Sequence, residues 1–158
     1  MYIHWNDTVN LLSKLTLRRL WNAGKVWSSY QLSKWLRKPI QWGLPVSISF
    51  EPTTSCNLRC PECPSGLREF SRPTGMLQQD FFRQTIDDIA PDLLYLILYF
   101  QGEPYLNPQF LDMVKYAHTK GIYTATSTNA HYLTHEKGHS RICDTLPGED
   151  SIWVVCKV

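Results

Sequence analysis

From Asn6 to about Leu36, apolar residues recur at helical spacing: Val9, Leu12, Leu15 and Leu20, then Val26, Trp27, Tyr30 and Trp35. That period predicts two amphipathic helices, with Asn6 or Asp7 as the first N-cap and Gly24 as the break between them. Pro39 and the WGLP stretch at 42–45 then punctuate the chain, which places a boundary there and makes residues 1–42 a helical extension. Beyond it the period drops to two. Val46, Ile48 and Phe50 alternate with Ser47, Ser49 and Glu51, as in a half-buried strand stopped by Pro52. Residues 76–89 return to helical spacing, with Phe82, Ile86 and Ile89 on one face. Residues 93–100, LLYLILYF, form a continuous apolar run of strand length, and such a strand expects cover on both faces. A further helix over 109–121, closed by Gly121, leads into a third strand over 122–130.

The order strand, loop, helix, strand, turn, helix, strand predicts a parallel sheet, either doubly wound or a barrel. In both architectures the chemistry belongs at the carboxyl ends of the strands. The polar constellations of the chain fall there: a cysteine loop after the first strand, Gln101 to Pro104 after the second, and Ser127 to Asn129 at the end of the third. After residue 134 the periodicity fades, and SIWVV at 151–155 suits one short strand.

Composition adds two constraints. The chain has 158 residues, 43% of them hydrophobic, which suits a cored domain rather than a disordered one. Residues 1–43 carry seven Lys and Arg against the single acid Asp7. Such helices suit an acidic surface, lipid headgroups or nucleic acid, but no nucleic-acid motif or aromatic-basic repeat accompanies the charge. The reading favoured is a solvated face of a packing extension, with no nucleic-acid partner. No apolar run approaches the ~18 residues of a membrane span and no signal-peptide pattern opens the chain, so a cytoplasmic location is expected.

Five cysteines, with Cys56, Cys60 and Cys63 within eight residues, fit a disulfide framework poorly and metal or redox chemistry better. Three thiolates on one loop can hold zinc or iron. Structural zinc takes its fourth ligand from the protein, yet no His or Cys stands between Cys63 and His118. His118 and His131 read as helix-surface and loop residues. An iron-sulfur cluster held by three cysteines instead leaves one iron open to an exogenous ligand, departing from the usual four-cysteine ligation.

The Cys56-x3-Cys60-x2-Cys63 loop, after the first strand of a parallel αβ pattern, resembles that of the radical S-adenosylmethionine (radical SAM) superfamily. The surrounding EPTTSCNLRCPECPSG, with GMLQQDFF and QGEP downstream, is similar to the branch carrying a C-terminal SPASM domain, which includes sulfatase and peptide maturases. The resemblance implies a 4Fe-4S cluster on Cys56, Cys60 and Cys63, with SAM chelating the open iron. It implies that Gln101, Gly102, Glu103 and Pro104 meet the SAM amino group, and that Ser127, Thr128 and Asn129 lie near its ribose and carboxylate. Glu62 stands where many members place an aromatic residue against adenine, so its backbone rather than a stacked ring would serve. A low-potential electron donor and a peptide or protein side chain as substrate are implied in the same way.

The fold expected is α/β: a partial (βα) radical SAM barrel of about three units over 43–134, preceded by the N-terminal extension and followed by a divergent tail at 135–158. Members of the superfamily continue to six units, so the tail is expected to come from a frameshift or a truncated reading frame. Two readings stand beside the enzyme: a catalytically inactive cluster-binding remnant, and a zinc-stabilised interaction module.

Overall fold

The structure, a computed structural model, describes residues 3–132 and the backbone of 153–156. Two helices open the chain, α1 (Ile3–Ser13) and α2 (Leu17–Leu36). The first strand, β1 (Ser47–Ser49), is followed by the cysteine loop, a short helix α3 (Pro64–Leu67) and the helix α4 (Gln79–Ile89). Then come β2 (Tyr95–Ile97), a 3-10 turn (Pro104–Leu106), α5 (Phe110–Thr119), β3 (Tyr123–Thr128) and β4 (Trp153–Cys156). The strands form one sheet in the order β1-β2-β3-β4, every pairing parallel. The βα order expected from the sequence is therefore present. SIWVV does contribute a strand, although the rest of the tail lies outside the described residues.

Helices α4 and α5 cover one face of the sheet. Phe82 and Ile86 of α4 and Met113 and Val114 of α5 pack with Leu96 and Leu98 into a core whose members are essentially inaccessible to solvent. Full burial of each such side chain is worth about 1.5–3 kcal/mol, so this helix-sheet seam is the main apolar contribution to stability. Tyr95 and Ile97 point the other way and are only half-buried, while Phe100 is exposed. The apolar run 93–100 is thus not a strand covered on both faces among the described residues. Its paired part is short, and it alternates as a half-buried strand does.

The N-terminal helices differ most from the sequence reading. Gly24 does not break a helix but lies inside α2; the break falls before Thr16, whose hydroxyl accepts from the Arg19 N–H at 3.2 Å as an N-cap. The first helix likewise begins ahead of Asn6 and Asp7. The apolar side of α2 does not pack inward either. Its buried residues are Arg19, Asn22 and Ser29, whereas Leu20, Trp27, Tyr30 and Trp35 are exposed.

Polar bonds explain that orientation. Arg19 donates to the carbonyls of Lys14 and Gly121 at 2.6 Å each and of Ala90 at 3.0 Å, and so joins the ends of α1, α5 and α4 to α2. Asn22 bonds both the N–H and the C=O of Leu44 at 2.9 Å, and Arg18 forks onto Asp92 with its closest contact at 2.8 Å. These partners sit before β1, β2 and β3, so α2 is fastened at the amino ends of the strands, opposite the cysteine loop.

Candidate active site

The cysteine loop follows β1 from Pro52 onward, and its first residues are fixed before the first thiol is reached. Asn107, buried just past the 3-10 turn, donates to the carbonyls of Pro52 and Leu77 at 2.8 and 3.1 Å. Thr54 exchanges bonds with the backbone of Gly75, accepting at 3.0 Å and donating at 3.2 Å. Its far end is closed by α3, which starts with Pro64 at its first position directly after Cys63, a placement that suits a residue with no N–H to lose.

The turn after β2 clasps this loop from the side. The Glu103 N–H donates to the Ser55 carbonyl at 2.8 Å, and the Gly102 N–H donates to the buried Ser65 hydroxyl at 2.9 Å. Gly102 has φ +76°, and a Cβ there would stand 2.2 Å from the Thr53 carbonyl oxygen and 2.7 Å from that of Ser55. No residue with a side chain fits between turn and loop. Gly66 plays the same part against the loop itself, since its Cβ would meet the Cys60 backbone nitrogen at 2.5 Å.

Glu103 links the turn to the end of β3. Its side chain is 1% exposed; one oxygen accepts from the Thr128 hydroxyl at 2.5 Å and from the Tyr105 N–H at 3.3 Å, the other from the Asn129 N–H at 2.8 Å. Asn129 in turn reaches the cysteine loop, donating to the Asn57 side-chain oxygen at 2.8 Å and to Cys56 Sγ at 3.9 Å. Ala130 follows with φ 64°, a left-handed conformation that costs a residue with a Cβ about 1–2 kcal/mol. Gln101 belongs to a separate, outer pairing. Arg72 bonds Glu51 at 2.7 Å and the Gln101 side chain at 3.3 Å, and its bond to Glu51 raises the pKa of its guanidinium further above the ordinary value.

The structure therefore brings Cys56, Gly102, Glu103, Thr128 and Asn129 together at the carboxyl ends of the strands, while the Gln101 side chain is held to one side by Arg72. Pro104 is buried at the start of the 3-10 turn, Ser127 is half-buried on the face of β3 shared with Tyr123, and Glu62 is exposed on the loop. Sequence reasoning missed Ser55, Asn57, Ser65 and Asn107, which hold the site together. Of these only Ser65 left a signal, because a proline directly after Cys63 marks a helix start and puts a serine in its first turn.

Cys56, Cys60 and Cys63 form no disulfide among the described residues, and Cys60 is the most exposed of them. Among the described residues no three His, Cys, Asp or Glu side chains converge closely enough to hold a metal ion. The donor set nonetheless fits a cluster bound by three sulfurs: the thiols share one loop, none is consumed in a disulfide, and Cys56 Sγ already accepts from the Leu58 N–H at 3.4 Å as well as from Asn129. Amide donors of this kind stabilise a metal-bound thiolate. A cavity of about 380 Å³ opens beside Cys56, lined by Thr54, Ser55, Ser65, Arg68 and Phe70.

A parallel αβ sheet with a three-cysteine loop over the carboxyl end of its first strand defines the class, and comparison with known proteins agrees with it. No protein-family model matches the sequence. The chain is 29% identical over 96 residues to the PqqA peptide cyclase of Bradyrhizobium diazoefficiens, covering 61% of this chain and 25% of that protein. It is 32% identical over 92 residues to the AdoMet-dependent heme synthase of Methanosarcina barkeri, covering 58% and 26%. The fold is similar to that of BtrN in complex with AdoMet and 2-DOIA, with a TM-score of 0.51, 20% identity, and coverage of 60% of this chain and 39% of that one. These likenesses to a peptide cyclase and to an AdoMet-dependent synthase agree with the resemblance that the cysteine loop suggested. The matched stretch spans about a quarter of the length of these curated relatives.

Proposed function

We propose that this chain binds a 4Fe-4S cluster through Cys56, Cys60 and Cys63, and SAM beside it, for radical chemistry on a peptide or protein side chain. The observation that carries the reading is the three-way joint of the site: Asn129 touches Cys56 Sγ and Glu103 holds Asn129, so the cysteine loop, the turn after β2 and the end of β3 are one unit. A cluster held by Cys56, Cys60 and Cys63 would supply one-electron reductive cleavage of SAM, to methionine and a 5′-deoxyadenosyl radical for hydrogen abstraction, the electron coming from a low-potential donor.

The residues of the chain have narrower tasks. The three cysteines supply sulfur, and the loop between Cys56 and Cys63 has to draw them together. Gln101, Gly102, Glu103 and Pro104 offer acceptors for the SAM ammonium. Glu103 already accepts three hydrogen bonds, and a carboxylate has about four lone-pair sites, so one direction remains. Ser127, Thr128 and Asn129 serve the ribose and carboxylate, and the Glu62 backbone serves adenine. In this reading the core runs over 43–134, with 1–42 as extension and 135–158 as a divergent tail. The peptide substrate rests on the likeness to a peptide cyclase.

The test is 5′-deoxyadenosine formation by anaerobically reconstituted protein with SAM and a strong reductant. Product that depends on Cys56, Cys60 and Cys63 supports the enzyme. A loaded cluster without product would leave the inactive remnant as the better account.

A further inference from the structure

Helix α2 is amphipathic in the reverse of the usual sense for a helix docked on a core. The side facing the sheet is polar, with Arg19 and Asn22 bonded to backbone groups that precede the strands. The opposite side carries Leu17, Trp21, Trp27 and Trp35, which are 87%, 73%, 64% and 80% exposed, together with Leu20. At 100° per residue these side chains fall within an arc of about 120°, and Lys25 and Lys34 border it on either side. Trp42 is exposed just beyond. Arg37 and Lys38 follow the helix, and no acidic residue occurs between Asp7 and Glu51.

We infer that α2 is an interfacial helix that lays this protein flat on an anionic lipid bilayer. Tryptophan and leucine suit the boundary between headgroups and acyl chains, and flanking lysine and arginine reach lipid phosphates. Charge selects this occupant. A second copy meeting the stripe through its own α2 would bring two acid-free basic segments together, whereas an anionic surface complements them. A nucleic acid would meet the charge but not the tryptophans and leucines at the centre of the stripe. No helix among the described residues is long and apolar enough to cross a membrane. The helix is fastened at the amino ends of the strands, so the cysteine loop at their carboxyl ends stays clear of the lipid. The inference does not depend on what the cysteines bind.

The experiment uses the whole chain with phosphatidylcholine vesicles and with vesicles containing about one-third phosphatidylglycerol. The protein should sediment with the anionic vesicles, shift its tryptophan emission to the blue, and be released by added salt. The variants Trp21→Ser/Trp27→Ser/Trp35→Ser and Lys25→Glu/Lys34→Glu should each lower partitioning at least about tenfold, with circular dichroism unchanged. Should the tryptophan variant lose its fold, the charge variant decides alone. Protein that stays in the supernatant with both vesicle types, or charge-reversed protein that partitions as well as the parent, overturns the inference. So does a dimer in sedimentation equilibrium that the tryptophan variant turns into a monomer without any lipid binding.

Discussion

Glu103 holds three partners with one carboxylate while almost wholly buried, so its chemistry is that of an acceptor without a donor of its own. Glu103→Gln puts an amide NH₂ against one set of those donors. Losing hydrogen bonds to a buried charge should cost about 1.5–3 kcal/mol, read as a lower urea midpoint. If Glu103 also meets the SAM ammonium, the affinity of the reconstituted protein for SAM falls roughly ten- to a hundredfold. A lower midpoint with unchanged SAM affinity would leave Glu103 as a positioning residue only. Ala130, next to Asn129, sits at φ 64°, and Ala130→Gly should gain up to about 1 kcal/mol once the extra chain entropy of glycine is set against the relieved strain. A destabilised glycine variant would show that the methyl group makes a contact worth more than the strain. The cysteine loop was legible in the sequence because spacing along a loop is a local property. The partners of Glu103 were legible only as short motifs, since the bond from Asn129 to Cys56 joins residues far apart in the chain.

At the scale of elements, two glycines separate close approach from mere helix content. Gly102→Ala meets the carbonyls of Thr53 and Ser55 at an already positive φ, and should cost about 2 kcal/mol or more and loosen the turn from the cysteine loop. Gly24→Ala meets nothing within 4 Å inside α2 and should gain about 1 kcal/mol. Thermal melts of the two variants should therefore move in opposite directions; a Gly24→Ala melt that falls would revive the helix break read from the sequence. The clamp on α2 is pH-dependent. The hydrogen bond from Arg18 holds the Asp92 carboxyl below its ordinary pKa, against an opposing effect of desolvation. A carboxyl whose folded pKa lies below its unfolded value contributes stability above the unfolded value, about 3.9, and loses it as pH falls through the folded one. Asp92→Asn should accordingly be less stable than the parent at neutral pH, and the difference should shrink in acid. Periodicity showed that α2 is a helix with two faces but not which face is buried, because the deciding bonds run from Arg19 and Asn22 to distant carbonyls. The run 93–100 misled for a similar reason: composition cannot show that Tyr95 and Ile97 point away from the helices.

The molecule as a whole is a four-stranded parallel sheet with helices over one face and the joined loop, turn and strand end at its carboxyl edge. The opposite face carries Tyr95 stacked on Tyr123 at 5.0 Å, with Ile97 and Ser127 half-buried. Radical chemistry needs that region shielded from water, so a version extended with further βα units from a relative should form 5′-deoxyadenosine faster than the 158-residue chain. Equal rates would mean that the chain closes the site by itself. The βα order was readable because each unit declares itself by a change of period, whereas residues past 134 carry no such pattern. The central claim is that the three thiols of one loop bind a cluster, and iron and acid-labile sulfide analysis of anaerobically reconstituted protein tests it most directly. The account predicts about four iron and four sulfide per chain, lost in each of Cys56→Ala, Cys60→Ala and Cys63→Ala and kept in Cys143→Ala and Cys156→Ala. About one zinc per chain, or a full cluster in Cys60→Ala, would contradict it.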